Sequence, residues 1–261
     1  MRILFLGDIV GKSGRQMVRH HLPRLRHELG LDAVLANAEN ASRGLGLSAA
    51  SARELRQAGI DVLTSGNHIW KFPDICAVLD AEPWLLRPAN YPPSAPGRGF
   101  GVFSPGPDIS PLAVMNLQGR VFMEPIDCPF AAAERLLELV PPDAVLVVDM
   151  HAEATSEKRA LAHMLRGRAH VVLGTHTHVQ TSDARILDGV TGFMTDLGMC
   201  GPVDSCLGMD SDAILRKFRT GRPERFELAS GPCALHGALV NMNYCFTKST
   251  HMAIKPASGV L

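Results

Sequence analysis

The chain has 261 residues and balances 26 lysines and arginines against 26 aspartates and glutamates, so its formal net charge is zero. A hydrophobic fraction of 46% with 20% charged residues excludes disordered and collagen-like proteins. Zero net charge argues against a stable nucleic-acid partner, because binding a phosphate backbone requires many unpaired lysines and arginines. A small-molecule enzyme is the class that remains.

The amino-terminal third alternates short apolar runs with amphipathic segments. This alternation predicts strands over residues 2–6, 32–36 and 61–63. We expect Ser13 and Ser48 to cap the two intervening helices and Gly30 to end the first of them. The resulting βαβαβ order implies parallel strands joined by right-handed crossovers.

The rest of the chain continues the pattern after a stretch rich in proline and glycine. Residues 84–120 predict loops with short antiparallel strands, and no low-complexity linker divides them, so we expect a single domain over 1–261. Further predicted helices cover 131–139 and 156–165, and further strands cover 144–148 and 169–173. Segments 191–194 and 226–240 are expected to close a second sheet, and the tail after Phe246 to be irregular.

The sequence also indicates a compartment. The first apolar run is too short for a signal peptide, and no run approaches the ~18 apolar residues of a membrane span. The six cysteines form no CxxC pair, so we expect them to be reduced and mostly buried. These features predict a cytoplasmic protein with no membrane partner.

Potential metal ligands follow the ends of several predicted strands. They are Asp8, Glu39, Asn40, Asn67, His151, His176 and His178. The carboxyl ends of parallel strands share one sheet edge, where ligands bind in open α/β folds. Carboxylates and imidazoles crowded together without compensation cost several kcal/mol, and a divalent cation removes that cost. We therefore predict a metal centre at this edge.

Strand alternation would place His176 and His178 on the same side, because side chains two apart in a strand share a face. Imidazole, carboxylate and amide donors together suit iron, manganese or zinc rather than calcium. We expect two divalent or mixed-valence ions, with iron favoured.

At these residues the sequence resembles the calcineurin-like metallophosphoesterases, and more closely their bacterial YmdB-like branch. Gly66-Asn67-His68 and residues 174–178 resemble two signature motifs of the wider superfamily. The closer match consists of residues 7–11, 37–40, 87–92, 149–158 and 195–199. We accordingly expect a four-layer α/β/β/α sandwich with two mixed sheets.

The resemblance implies a role for each residue of the cluster. One metal ion would be held by Asp8, Glu39, Asn40 and His178, and a second by Glu39, Asn67, His151 and His176. Glu39 would bridge ions ~3.5–4 Å apart that share a water or hydroxide as nucleophile. His68 would be a catalytic residue and not a ligand, either protonating the leaving oxygen or stabilising charge on the phosphoryl group.

Two departures from the wider superfamily are expected to compensate each other. Val10 occupies a position where the superfamily has a histidine, and Glu39 with Asn40 replaces a bridging aspartate. In the YmdB-like branch, the Asn40 side chain can supply the ligand that the missing histidine would have given.

Other residues receive more modest interpretations. Asp149 is expected either to orient the His151 imidazole or to serve as a helix cap or ion-pair partner. Glu153 and Lys158 are expected to form an ordinary ion pair. Asn90, Arg120 and residues 198–201 are candidates for lining the substrate pocket.

The leading functional prediction is a dinuclear metal phosphodiesterase. The resemblance implies cyclic nucleotides as small-molecule substrates, especially 2′,3′-cyclic nucleoside monophosphates opened at the 2′ position. The alternatives are a phosphomonoesterase on the same scaffold and a nucleotide- or partner-binding regulatory protein with weak hydrolysis. RNA as a substrate and a homo-oligomeric state both remain open at this point.

Overall fold

A computed structural model describes residues 1–244 and 250–260, with side chains through residue 242. The helices are α1 (Gly11–Leu29), α2 (Ala49–Gln57), α3 (Ile75–Ala81), α4 (Pro129–Leu137), α5 (Thr155–Met164) and α6 (Ser211–Thr220). A short 3₁₀ helix covers Ile69–Lys71. No helix in these ranges is long and apolar enough to span a membrane.

The strands fall into two groups along the chain. The first are β1 (Arg2–Leu6), β2 (Asp8–Ile9), β3 (Ala33–Asn37), β4 (Val62–Thr64), β5 (Phe100–Phe103), β6 (Leu112–Gln118) and β7 (Val145–His151). The second are β8 (Val171–Thr175), β9 (Arg185–Leu187), β10 (Thr191–Met194), β11 (Met199–Pro202), β12 (Cys233–Tyr244) and β13 (Thr250–Val260). Parallel strands such as β6 and β7 are buried along their whole length, as expected for strands covered on both faces.

The strands form two mixed sheets. The first has the order β2-β11-β12-β1-β3-β4, with β13 paired to β12, and its β1, β3 and β4 run parallel. The second has the order β5-β6-β7-β8-β10-β9, with the four inner strands parallel and both edge strands antiparallel. The carboxyl ends of β1, β3, β4, β7 and β8 therefore carry the motif residues.

Three apolar cores separate four layers. The middle core joins the sheets, with Ile3 and Leu35 of the first sheet packed against Val147 of the second. An outer core buries α1, α2 and α3 on the first sheet, and another buries α4 and α5 on the second. The predicted four-layer α/β/β/α sandwich with two mixed sheets is confirmed.

The local signals at helix ends are confirmed in part. The Ser48 hydroxyl accepts a hydrogen bond from the Ser51 amide, and Gly30 ends α1 in the left-handed conformation at φ 56°. The Ser13 cap was wrong. Helix α1 begins at Gly11, where the chain turns at φ 62° directly after β2, so Ser13 lies inside the first turn.

Two predictions for the carboxyl-terminal part were wrong. Cys233–Tyr244 joins the first sheet beside β1, and only Thr191–Met194 of the two segments belongs to the second. The tail is not irregular over 250–260, where β13 pairs antiparallel with β12. Residues 245–249 lie outside the described part of the chain.

The cysteines match the reduced state that the sequence predicts. The five in the described side chains are all free, although only Cys200 and Cys233 are fully buried and the other three are half-buried. Cys245 lies outside the described residues.

A buried ion pair replaces the predicted pair between Glu153 and Lys158. The Lys158 ammonium lies 2.7 Å from Asp196 Oδ2, with both side chains fully buried. Asp196 also accepts hydrogen bonds from the backbone amides of Thr177 and Gly198. The pair therefore fixes the loop that carries His176 and His178.

Replacing Lys158 with methionine is expected to lower the free energy of unfolding by about 3–5 kcal/mol, because the Asp196 charge is left buried without a partner. Urea denaturation measures this loss. A matched control is Arg166→Met, which breaks the exposed pair with Asp188 and should change stability by about 0–1 kcal/mol. Equal small losses in both variants would contradict the importance of the buried pair.

Candidate metal centre

The predicted ligands meet at one edge of the two sheets. Asp8 lies in β2, Glu39 and Asn40 follow β3, Asn67 follows β4, His151 ends β7, and His176 and His178 follow β8. Each of these side chains lies within 4 Å of at least one other member of the set. The structure brings all seven together, with His68 beside them.

Glu39 lies at the centre of this cluster. Its Oε1 atom is 3.2 Å from His151 Nε2 and 3.1 Å from His68 Nδ1. Its Oε2 atom accepts a hydrogen bond from the His68 amide at 2.9 Å. The carboxylate is completely buried, so this single group faces both halves of the cluster.

One half of the cluster contains His151, His176 and Asn67. His176 Nδ1 and Asn67 Oδ1 lie 3.1 and 3.2 Å from His151 Nε2. One nitrogen from each histidine and one Glu39 oxygen all lie within 4.8 Å of one another, a spacing that can hold a metal ion.

The other half contains Asp8, Asn40 and His178. His178 Nε2 lies 3.1 Å from the Asn40 amide nitrogen and 3.8 Å from Asp8 Oδ1. The Asn40 oxygen faces His68 Nδ1 at 2.8 Å, so a metal ion in this half would meet that oxygen after the amide is turned over.

Strand alternation does not explain how the two histidines reach the centre, so that part of the sequence argument was wrong. Strand β8 ends at Thr175, and His176 and His178 have φ values of 100° and 64°. Non-glycine residues rarely adopt this left-handed region, and such strain clusters at functional sites. The turn directs His176 toward His151 and His178 toward Asp8.

Each histidine is oriented by a partner on its outer side. His178 Nδ1 donates to the Leu207 carbonyl at 3.0 Å, which leaves Nε2 facing the cluster. His151 Nδ1 donates to the Thr175 hydroxyl at 2.9 Å. His176 Nε2 pairs with Glu153 at 3.2 Å, the partner that the sequence had assigned to Lys158. Such outer hydrogen bonds are typical of metal-binding histidines.

A buried polar network supports the cluster from below, and the sequence analysis missed three of its members. Asp149 accepts hydrogen bonds from Thr64, Thr175 and Asn37. Asp149 thus reaches His151 through the Thr175 hydroxyl and not directly. The available signal was a polar residue at the end of an otherwise apolar strand, as at Asn37, Thr64 and Thr175.

Burial and charge act in opposite directions on the central groups. Burial raises the pKa of Glu39, but His151 and His68 outweigh it and hold the pKa well below its ordinary value. Burial lowers the pKa of His151, yet the Glu39 carboxylate overcomes this effect and raises it to about 9. Burial, together with His151, lowers the pKa of His176 to about 3. The proton on His151 thus compensates a buried carboxylate, a role that a cation can take over.

The cluster fits divalent metal ions on further grounds. Asp8 Oδ1 is buried and accepts no hydrogen bond from the described residues, although burial raises the pKa of this carboxyl group. Buried carboxylate oxygens are almost always bonded or bound to a metal. The donors are imidazole, carboxylate and amide groups, the set expected for iron, manganese or zinc.

Gly66 provides the space in which the cluster assembles. A Cβ atom at this position would lie 2.1 Å from His151 Nε2 and 2.5 Å from Glu39 Oε2. Gly7 has a similar role, since a Cβ there would meet the Gly198 carbonyl that accepts the Asp8 amide.

Replacing Gly66 with alanine is expected to reduce metal content and to lower kcat/KM by at least about 10²-fold, because His151 and Glu39 must move. Elemental analysis and steady-state kinetics measure the two effects. The control is Gly106→Ala, where the nearest atom to the new Cβ is the end of Ile109 at 3.3 Å. Normal metal content in Gly66→Ala would show that the cluster tolerates the displacement.

The remaining pocket candidates divide into supporting and exposed residues. Asn90 is buried and bonds to the backbone of Gln118 and Asp127, so it holds loops together. Gly198 supports Asp8 through its carbonyl group. Only Arg120 of these candidates presents an exposed side chain at the edge of the site.

Residues 4–254 match the family described as YmdB-like protein. The chain belongs to the YmdB-like family. The 2′,3′-cyclic-nucleotide 2′-phosphodiesterase of Bacillus subtilis is 45% identical over 245 residues, which cover 93% of this chain and 92% of that protein. The family predicted from the motifs is thereby confirmed.

Two solved structures of similar sequence share the fold along almost the whole chain. A hypothetical protein from Thermus thermophilus has a TM-score of 0.91 at 43% identity, covering 100% of this chain and 99% of that one. A novel phosphatase from Mycoplasma pneumoniae has a TM-score of 0.90 at 32% identity, covering 100% and 93%.

Proposed function

We propose that the protein is a dinuclear metal phosphodiesterase that hydrolyses 2′,3′-cyclic nucleotides at the 2′ position. The observation that carries this proposal is the two-part donor cluster around one shared carboxylate, Glu39, with His68 at its rim. The activity of the Bacillus subtilis relative supports the choice of substrate.

The two halves of the cluster would hold one metal ion each. The ligands would be Asp8, Asn40 and His178 for one ion and Asn67, His151 and His176 for the other, with Glu39 shared. We propose iron as the preferred metal, with manganese and zinc as alternatives that the same donors accept. When bound, the metal ions would supply a water ionised near neutral pH and positive charge beside the phosphoryl oxygens.

His68 would act on the substrate and not on the metal. Its Nδ1 atom is held by Asn40 Oδ1 at 2.8 Å, and the imidazole is 26% exposed at the rim. The Nε2 atom is then available to give a proton to the departing 2′-oxygen of the ribose or to bond a phosphoryl oxygen.

The charges around the cluster favour a diester, which carries a single negative charge. Lys158, the buried lysine nearest to the histidine loop, is neutralised by Asp196. The exposed Lys71 and Arg120 are the remaining cations close in sequence to the motif residues. A dianionic monoester would gain from more positive charge than these residues provide.

A phosphomonoesterase is the second candidate, because one similar structure is that of a phosphatase. The decisive experiment follows 2′,3′-cyclic AMP, 3′-AMP, bis(p-nitrophenyl) phosphate and p-nitrophenyl phosphate with the same preparation. We expect 2′,3′-cyclic AMP to be converted to 3′-AMP, which then accumulates. Faster hydrolysis of both monoesters would support the phosphatase, and trace rates on all four would indicate a binding protein.

A further inference from the structure

Phe122 is an aromatic side chain presented to solvent beside the metal cluster. It is 89% exposed, more than any other large apolar residue among the described side chains. Its backbone has a φ of 62°, in the left-handed region that non-glycine residues rarely adopt. A ring that could be buried gains from leaving water, so an ordered exposed phenylalanine points to a binding role.

The loop that carries Phe122 is anchored at both ends. The buried Glu157 carboxylate accepts hydrogen bonds from the Arg120 and Val121 amides at 3.0–3.2 Å. At the far end, the Asn90 side chain donates to the Asp127 carbonyl at 2.9 Å. Met123, the next residue, packs against the outer core of the second sheet. The exposure of Phe122 is therefore built into a held loop.

The loop begins at the metal cluster. Gln118, the last residue of β6, pairs in register with His151, and the Gly119 amide donates to the His151 carbonyl at 2.9 Å. Phe122 comes three residues later, so its Cα lies within about 11 Å of Gly119. A mononucleotide bound at the cluster spans this kind of distance between its phosphate and its base.

Further aromatic groups continue from His68 toward the same loop. Trp70, two residues after His68, contacts Tyr91 edge to face with ring centroids 5.3 Å apart. The Tyr91 hydroxyl donates to Gln118 Oε1 at 3.3 Å, and Gln118 Nε2 has no hydrogen-bond partner among the described residues. This side of the cluster thus combines ring faces with an unused polar donor, the chemistry that recognises a nucleoside.

We propose that Phe122 is the stacking platform for the nucleobase of the cyclic nucleotide, an inference that rests on the proposed function. The base stacks on the ring while the phosphate lies at the metal cluster. Stacking on an aromatic side chain is tolerant of base identity, so the platform accepts both purines and pyrimidines and favours the larger purines.

The test compares a substrate with a base and one without. We expect Phe122→Ala to raise KM for 2′,3′-cyclic AMP by about 5- to 150-fold with little change in kcat. Glycerol 1,2-cyclic phosphate, a five-membered cyclic diester that lacks a base, should be hydrolysed equally by both proteins. Phe122→Trp should restore KM, and Phe218→Ala, which removes another exposed ring at 77% exposure, should leave KM unchanged.

Calorimetric binding of 3′-AMP gives a readout independent of turnover, and its Kd should rise by a similar factor in Phe122→Ala. An unchanged KM for cyclic AMP, or an equal loss on both substrates, would overturn the inference while leaving the proposed function intact. Loss of self-association in Phe122→Ala without a change in KM would identify a subunit contact instead. If the wild type hydrolyses neither substrate, the proposed function fails, and 3′-AMP binding alone decides the role of Phe122.

Discussion

Replacing Glu39 with alanine is expected to remove one or both metal ions and to lower kcat/KM by more than about 10³-fold. The carboxylate faces both halves of the cluster, so its loss takes a ligand from each ion at once. Several kcal/mol of charge stabilisation would be lost, and each 1.36 kcal/mol corresponds to about tenfold in rate. Elemental analysis and kinetics on 2′,3′-cyclic AMP measure the two effects.

Two further variants separate charge from structure at this position. Glu39→Gln can still accept the hydrogen bond from the His68 amide but lacks the negative charge, so it should lose metal as well. Glu54→Ala removes a half-buried carboxylate that pairs with Arg15, and it should keep both metal content and activity. Two metal ions per chain in Glu39→Ala would contradict the assigned bridge.

Replacing His68 with alanine is expected to keep metal content close to the wild-type value while kcat falls by about 10²–10⁴-fold. His68 lies at the rim and bonds to Glu39 and Asn40 from the outside, so the donors of the cluster remain in place. If His68 is a proton donor, the loss should be largest for a ribose 2′-alkoxide and smaller for p-nitrophenolate, which needs little protonation. Similar losses on both substrates would identify a charge stabiliser.

The control for this variant is His163→Ala, which removes an exposed imidazole at the end of α5 and should leave kcat unchanged. His176→Ala provides the opposite reference, because loss of a ligand should empty part of the site. Full activity of His68→Ala on a cyclic nucleotide, or metal loss equal to that of His176→Ala, would reject His68 as a catalytic residue outside the ligand set.

Most of the fold could be predicted because its central strands are apolar runs that end in recognisable polar motifs. Residues 2–6 and 191–194 were placed correctly, and the meeting of Asp8, Glu39 and His151 follows from parallel strands sharing an edge. Their roles as ligands stay a prediction. The single domain over 1–261 also stays one.

The errors arose where long-range contacts decide the local structure. Cys233–Tyr244 joins the first sheet because it pairs antiparallel with β1, a partner more than 200 residues away that no local pattern reveals. His176 and His178 reach the cluster through a strained turn held by Asp196 and Leu207, and alternation along a strand cannot predict such a turn. Thr64 and Thr175 looked like ordinary strand residues until Asp149 was placed between them.

The most direct test of the account is a metal titration of the apo-protein that follows activity on 2′,3′-cyclic AMP as a function of ions bound per chain. Iron(II), manganese and zinc are added separately to protein stripped with a chelator and shown to remain folded. The account predicts that two ions bind per wild-type chain and that activity appears only as the second site fills. Full activity with one ion per chain, or hydrolysis by the metal-free protein, would contradict a dinuclear centre.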